Sequence, residues 1–392
     1  MAGAALPPRP GVRLALALGL SALALLGCSS KGKTKEPAKL VKVENPQVRP
    51  DDVWSRHIGD GSGGYYSGYR LALAGDALFA ASIDGRVYAL NPANGEVIWR
   101  VKTKARVISG PGIVGDKVVV GTLDGQVIAL RRADGKEVWR SAASSEALAP
   151  PVGSGDMVVA KSVDGREYGL DSGTGERKWS FDRVEPNLTL RGLSAPLIIG
   201  GRVYLGLDNG KMVVLRLDDG QMVWEQTISV PTGRGDLDRL TDVDADLLPG
   251  EGGIYVVTYG GDMALIDLQS GDSRWRRSIK SYAGMTVGGD KLYITDDDGT
   301  VWALDAESGA AAWKQQELKY RRLSPPGFFK GYVVVGDYKG YLHWLSPQDG
   351  KVVGRTRLGS DPIVTPPVAS GDLLYVMDAA GKLAGYDIKP PK

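Results

Sequence analysis

The chain has 392 residues, 54 of them glycine, with 48 basic side chains against 46 acidic ones. That length supplies a sizeable core, either as two or three ordinary domains or as one large repeat architecture. The balanced charge argues neither for nucleic acid nor for an acidic substrate as a partner. One cysteine, Cys28, and two histidines, His57 and His343, exclude an intramolecular disulfide, a zinc site of the usual Cys/His type and redox chemistry by a cysteine pair.

Arg9 and Arg13 precede an apolar run, Leu14–Leu26, of 13 residues. A bilayer span needs ~20 residues, so the run has the length of a secretory signal core instead. It ends in Leu25-Leu26-Gly27-Cys28, which resembles a bacterial lipobox. The resemblance implies a signal peptide over residues 1–27, cleavage before Cys28 and acylation of that thiol. Ser29, rather than Asp, follows the cysteine, which by the sorting rule known in enteric bacteria implies the outer membrane. Residues 28–50 then read as the lipidated cysteine and a flexible tether, being polar, lysine-rich and punctuated by proline. From Ser29 to Pro50 such a tether reaches at most ~75 Å.

From residue 51 onward the sequence repeats. "DGRVYALNPANGEVIW" ends at Trp99 and "DGQVIALRRADGKEVW" at Trp139; further copies end at Trp179, Trp224, Trp275 and Trp313. In each, one glycine precedes a second by ten residues and the tryptophan follows four later. A seventh copy keeps Gly340 and Gly350 but has Gly354 where the tryptophan is expected, and an eighth keeps only Gly381. Within a copy, two short apolar runs flank Asp-Gly, a hairpin signal. A second turn then leads into a strand that carries the tryptophan. With the run before the hairpin, this makes four strands per unit. The middle strands are apolar almost throughout, as strands covered on both faces are. The spacing predicts an all-β protein, with residues 51–392 forming a single eight-bladed β-propeller of four-stranded antiparallel blades.

The eighth copy has no outer strand of its own. "DDVWSR", Asp51–Arg56, matches the strand that closes every other unit, so the N-terminal strand around Trp54 is expected to join the last blade and shut the ring. Trp54, Trp99, Trp139, Trp179, Trp224, Trp275 and Trp313 read as structural: a buried indole removes ~150–250 Å² from water, about 4–6 kcal/mol of gross transfer energy. Trp302 and Trp344 lie outside this position and stay open.

The repeat resembles the tryptophan-docking repeat of quinoprotein (PQQ-type) propellers, over nearly all of the chain after residue 50. Those enzymes use a PQQ cofactor and calcium, often with a vicinal disulfide that a single cysteine cannot form. A periplasmic PQQ-dependent dehydrogenase or ligand-sensing propeller is therefore the alternative reading, and no cofactor, metal site or catalytic residue is assigned. Lipobox, tether and eight small blades together resemble the lipoprotein subunits of the outer-membrane β-barrel assembly (BAM) machinery. "LTLRGLSAP" (188–196) and "DLDRLTDVD" (236–244) resemble that family's interaction loops. The resemblance implies a non-enzymatic scaffold on the periplasmic side of the outer membrane that binds the POTRA domains of BamA and aids insertion of barrel proteins. It implies Leu188, Leu190 and Arg191 as contacts from the first loop and Asp242 and Asp244 from the second. Strand addition by unfolded outer-membrane proteins at exposed blade edges is a further expectation.

Spacing points to the same loops independently. From one tryptophan to the next first glycine the chain takes 24–27 residues, except for consecutive intervals of 31 and 37. Both insertions fall in outer-to-inner connections, which emerge on one face of a propeller, where loops on a rigid scaffold carry function. The five aspartates of "DLDRLTDVDAD" read as an acidic patch facing a partner. "DDDG" at 296–299 reads as turn chemistry, and "GDGSGG" at 59–64 as a flexible link into the first blade.

Overall fold

The computed structural model describes residues 35–390 and Gly3, apart from 66, 184, 185, 187, 192 and 233. Cys28, and with it the expected lipidation site and signal peptide, lies outside the described residues.

Eight four-stranded antiparallel units follow one another along the chain, the second extended by a two-residue parallel strand, Gly68–Tyr69. Blade one consists of Ala72–Ala74, Ala77–Ala81, Arg86–Leu90 and Val97–Lys102. Blades two to seven occupy 107–142, 152–182, 197–227, 248–278, 284–315 and 327–357. The eighth contains Val368–Ser370, Leu373–Met377 and Lys382–Lys389, and its outer strand is Arg49–His57 from the other end of the sequence. Trp54 lies opposite Gly385 in that pair, as Trp139 lies opposite Ala129 in blade two. A bulge precedes the tryptophan in both strands, which turns the indole towards the next blade. The expected fold and its closure by the N-terminal strand are both present.

The core lies between blades. Tyr204, Met212 and Val214 of blade four, for example, pack with Ile254, Val256 and Ala264 of blade five. The middle strands are buried because a neighbour covers each face.

Each docking tryptophan crosses that seam. The Trp54 Nε1–H donates to the Pro92 carbonyl of blade one at 2.9 Å, and Trp99, Trp139, Trp179 and Trp313 donate to the equivalent carbonyls of their next blades at 2.8–2.9 Å. Trp224 and Trp275 keep the packing position, but their indole N–H groups find no acceptor. Every ring lies on the second glycine of the following blade. A Cβ on Gly175 would come 2.6 Å from the Trp139 ring, and Gly175 has φ +74°, so both space and backbone demand glycine there.

The same arrangement explains Gly354. Blade eight borrows its outer strand, so it has no third-to-outer turn and no glycine platform for a tryptophan from blade seven. Val48, just ahead of the closing strand, fills the place instead: a Cβ on Gly354 would meet its Cγ2 at 2.6 Å. Trp344, fully buried, seals this seam edge-to-face on Tyr386. Trp302 donates instead to the Asp296 carboxylate within its own blade, at 2.9 Å.

Two expectations change here. The tether does not run free to Pro50, because the Ala38 N–H is already hydrogen-bonded to the Lys319 carbonyl. The glycine-rich link is a fixed junction: the Ile58 N–H donates to the Gly381 carbonyl, that of Ser62 to Ala379, and that of Ile83 to Gly61. Its glycines at 59, 61, 63 and 64 all have positive φ, so the composition serves tight turns rather than looseness.

Candidate functional site

The Thr103 N–H donates to the Gly85 carbonyl, and that of Ile228 to Gly210. Outer strands therefore end beside the first-glycine hairpins, and the outer-to-inner connections share that face. Both insertions, residues 183–196 and 228–247, belong to it.

The two insertions are joined by a ladder of carboxylates. Asp242, Asp244 and Asp246 alternate along the chain, so an extended backbone turns all three to one side. Asp242 Oδ1 accepts the Leu190 backbone N–H at 2.6 Å, Asp244 Oδ1 that of Leu193 at 2.8 Å, and Asp246 Oδ1 that of Ala195 at 2.9 Å. Side-chain oxygens thus do the work that carbonyls do in a sheet. On the far side, the Val243 N–H donates to the Leu207 carbonyl and that of Tyr259 to the Asp242 carbonyl, which ties the second insertion to blades four and five. Asp246 also pairs with Arg70 at 3.0 Å.

This corrects one expectation. Asp242 and Asp244 do not face outward: both are buried, Asp242 completely. Burial pushes the Asp242 carboxyl up to about 6, helped by the charges of Asp208 and Asp244. Its Oδ2 has no hydrogen-bond partner. Deeper in, Lys161 Nζ lies 3.8 Å from Asp208 Oδ1 and donates to the Gly206 carbonyl at 3.0 Å. The burial of an acid depends on what packs over it, which an aspartate-rich stretch does not state.

The ladder leaves other groups outside. Leu188 and Arg191 are exposed, Leu190 is half-buried, and Arg191 sits at φ +80°. That left-handed conformation is uncommon for a side chain of this size. Sequence reasoning missed Val230 and Leu237 of the second insertion, although Leu237 is 72% exposed on the short 3-10 turn Leu237–Arg239. An isolated leucine between aspartates was the available signal. The face thus offers aliphatic groups and an arginine on a hydrogen-bonded base, a composition suited to a protein partner.

Beside the insertions opens a cavity of about 690 Å³, lined among others by Tyr65, Tyr282, Tyr338, Arg322, Leu193 and Asp244. Among the described residues, no group of three or more carboxylate, imidazole or thiol side chains is placed to hold a metal ion.

Eight blades, tryptophans docked on glycines and a closing N-terminal strand define a propeller of the PQQ-type repeat class. Quinohemoprotein alcohol dehydrogenase from Comamonas testosteroni shares that fold alone, with TM-score 0.70 and 14% identity over 88% of this chain and 78% of that one. The family model described as outer membrane protein assembly factor BamB matches residues 52–315 and 316–390. Proteins of that name from Alkalilimnicola ehrlichii and Pseudomonas aeruginosa are 50% and 45% identical to this chain. The alignments cover 86% and 94% of this chain and 88% and 97% of those relatives. The crystal structure of BamB from Moraxella catarrhalis matches with TM-score 0.79 and 27% identity, over 86% of this chain and 99% of that one. The chain belongs to the BamB family.

Proposed function

We propose that this chain is a non-enzymatic scaffold of the outer-membrane protein assembly complex, held on the periplasmic side of the outer membrane by an acylated Cys28. Its insertion-bearing face binds the POTRA domains of BamA and helps position barrel proteins for insertion. The observation that carries the reading is the ladder: three aspartates of one insertion, two of them buried, order the backbone of the other. Such an arrangement prepays part of the entropy that loop ordering would cost on binding. Leu188, Leu190 and Arg191 are the proposed contacts, and Asp242 and Asp244 position them. The relatives' shared name, outer membrane protein assembly factor, supports the setting and the absence of catalysis.

The test is binding of the full chain to purified POTRA domains, with Leu188→Ser and Arg191→Ala as variants. Binding in the wild type that is weakened by both substitutions, without loss of thermal stability, supports the reading. Wild-type protein that shows no affinity removes it.

A further inference from the structure

In and beside blade seven lie charged groups that neither the docking seams nor the two insertions use. Asp337 and His343 are fully buried and Arg321 nearly so. The Arg321 Nε–H donates to Asp337 Oδ2 at 2.8 Å, and His343 Nε2 lies 3.1 Å from the same oxygen. The Arg355 Nε–H donates to His343 Nδ1 at 3.1 Å. A guanidinium only donates, so Nδ1 is the acceptor and the imidazole proton sits on Nε2, towards Asp337.

One further donor of each arginine points at the N-terminal segment. Arg321 Nη1 donates to the Ala38 carbonyl at 2.8 Å and Arg355 Nη1 to the Val41 carbonyl at 2.6 Å. The Ala38 N–H donates to Lys319, and that of Gln47 to Val353, both at 2.9 Å. Leu40 packs on the cluster of Leu318, Leu323 and Val333, and Val48 fills the notch over Gly354. Residues 38–48 therefore run along the outer strand Val352–Arg357, from the Lys319 connection down to Val353. Lys319 and Arg321 lie in an outer-to-inner connection, on the face that carries both insertions.

We infer that residues 38–48 are a clamped strap that fixes where the N-terminal segment leaves the body, namely at the insertion-bearing face. The orienting role rests on the proposed anchor at Cys28. Nine residues, 29–37, then separate the anchor from the clamp, and nine residues span at most roughly 30 Å. That is less than half the reach of a tether free to Pro50. The strap thus holds the insertion face towards the lipid surface instead of letting the propeller swivel.

The test uses full-length protein on vesicles that contain an energy-transfer acceptor lipid. A donor dye goes on Asp124→Cys, in a first-glycine hairpin of the insertion face, or on Asp116→Cys, in a turn on the opposite face of the same blade. Transfer is expected to be higher from Asp124→Cys, and the difference to disappear in Leu40→Ser/Val48→Ser. Hydrogen exchange checks that this variant stays folded: the Ala38 and Gln47 amides, slow in the wild type, become fast while those of blade eight remain slow. Equal transfer from both dyes in wild type overturns the orienting role. Fast exchange at Ala38 and Gln47 in wild type overturns the strap. Mass spectrometry separates the remaining case, since an unacylated Cys28 removes the anchor and the orienting role together, while exchange still decides whether the strap is clamped.

Discussion

The Oδ1 of Asp242 accepts the backbone N–H of Leu190 at 2.6 Å, across 52 residues of sequence. One buried carboxylate thereby sets the backbone of the loop that carries Leu188 and Arg191. Asp242→Ala removes that acceptor and leaves a half-buried N–H unpaired, at a cost of about 1 kcal/mol. The expected result is faster hydrogen exchange at Leu190 and weaker partner binding, although Asp242 itself is not exposed. Unchanged exchange at Leu190 would contradict the positioning role.

The same carboxyl gives a pH prediction. Its value rises from 3.8 to about 6 in the fold, so the native state holds this proton more tightly than the unfolded chain does. The group's contribution to stability is then greatest below pH 4 and declines as pH rises through 4 to 6. Asp242→Asn keeps an acceptor oxygen without the charge. It should be at least as stable as wild type at pH 7.5, and its relative advantage should shrink towards pH 5. Thermal denaturation of both proteins at the two pH values checks this, and an advantage that grows on acidification would refute it.

Ring closure depends on Trp54 lying over Gly95 and donating to Pro92. Trp54→Ala should cost about 3–5 kcal/mol, as large-to-small changes in cores do, and should free blade eight to exchange before the other blades. Gly95→Ala should also destabilise, because the glycine has φ +69° and an added Cβ would enter the indole. Urea unfolding measures both, and a neutral Gly95→Ala would show that the seam has slack.

Gly354→Trp restores the repeat but should not stabilise the protein. Val48 occupies the space, and blade eight offers no glycine on which to dock the ring. A fall in the urea midpoint is expected, and a rise would mean that the strap residue is the inferior filler.

The blades were legible in the sequence because their determinants are local. Two glycines ten residues apart and a tryptophan four later fix turns and a docking ring, and Trp54 before the first repeat announces the closing strand. The insertions were legible as lengths. What their side chains do was not, because Asp242 and Asp244 are structural only by virtue of Leu190 and Leu193, 52 and 51 residues away in the chain. The strap was hidden by composition. Lysines and prolines between 31 and 50 read as a tether, and only the distant partners Arg321 and Arg355 show why Ala38 and Val41 are held. The partners of His343 are equally invisible locally: Asp337 comes from a hairpin and Arg355 from a neighbouring strand.

The measurement closest to the central claim is the affinity of the full chain for the POTRA domains of BamA, compared between wild type, Arg191→Ala and Asp242→Ala. The account predicts binding that both variants weaken, Arg191→Ala with the Leu190 amide still protected and Asp242→Ala with that protection lost. Affinity untouched by either change would place the partner elsewhere on the propeller and contradict the account.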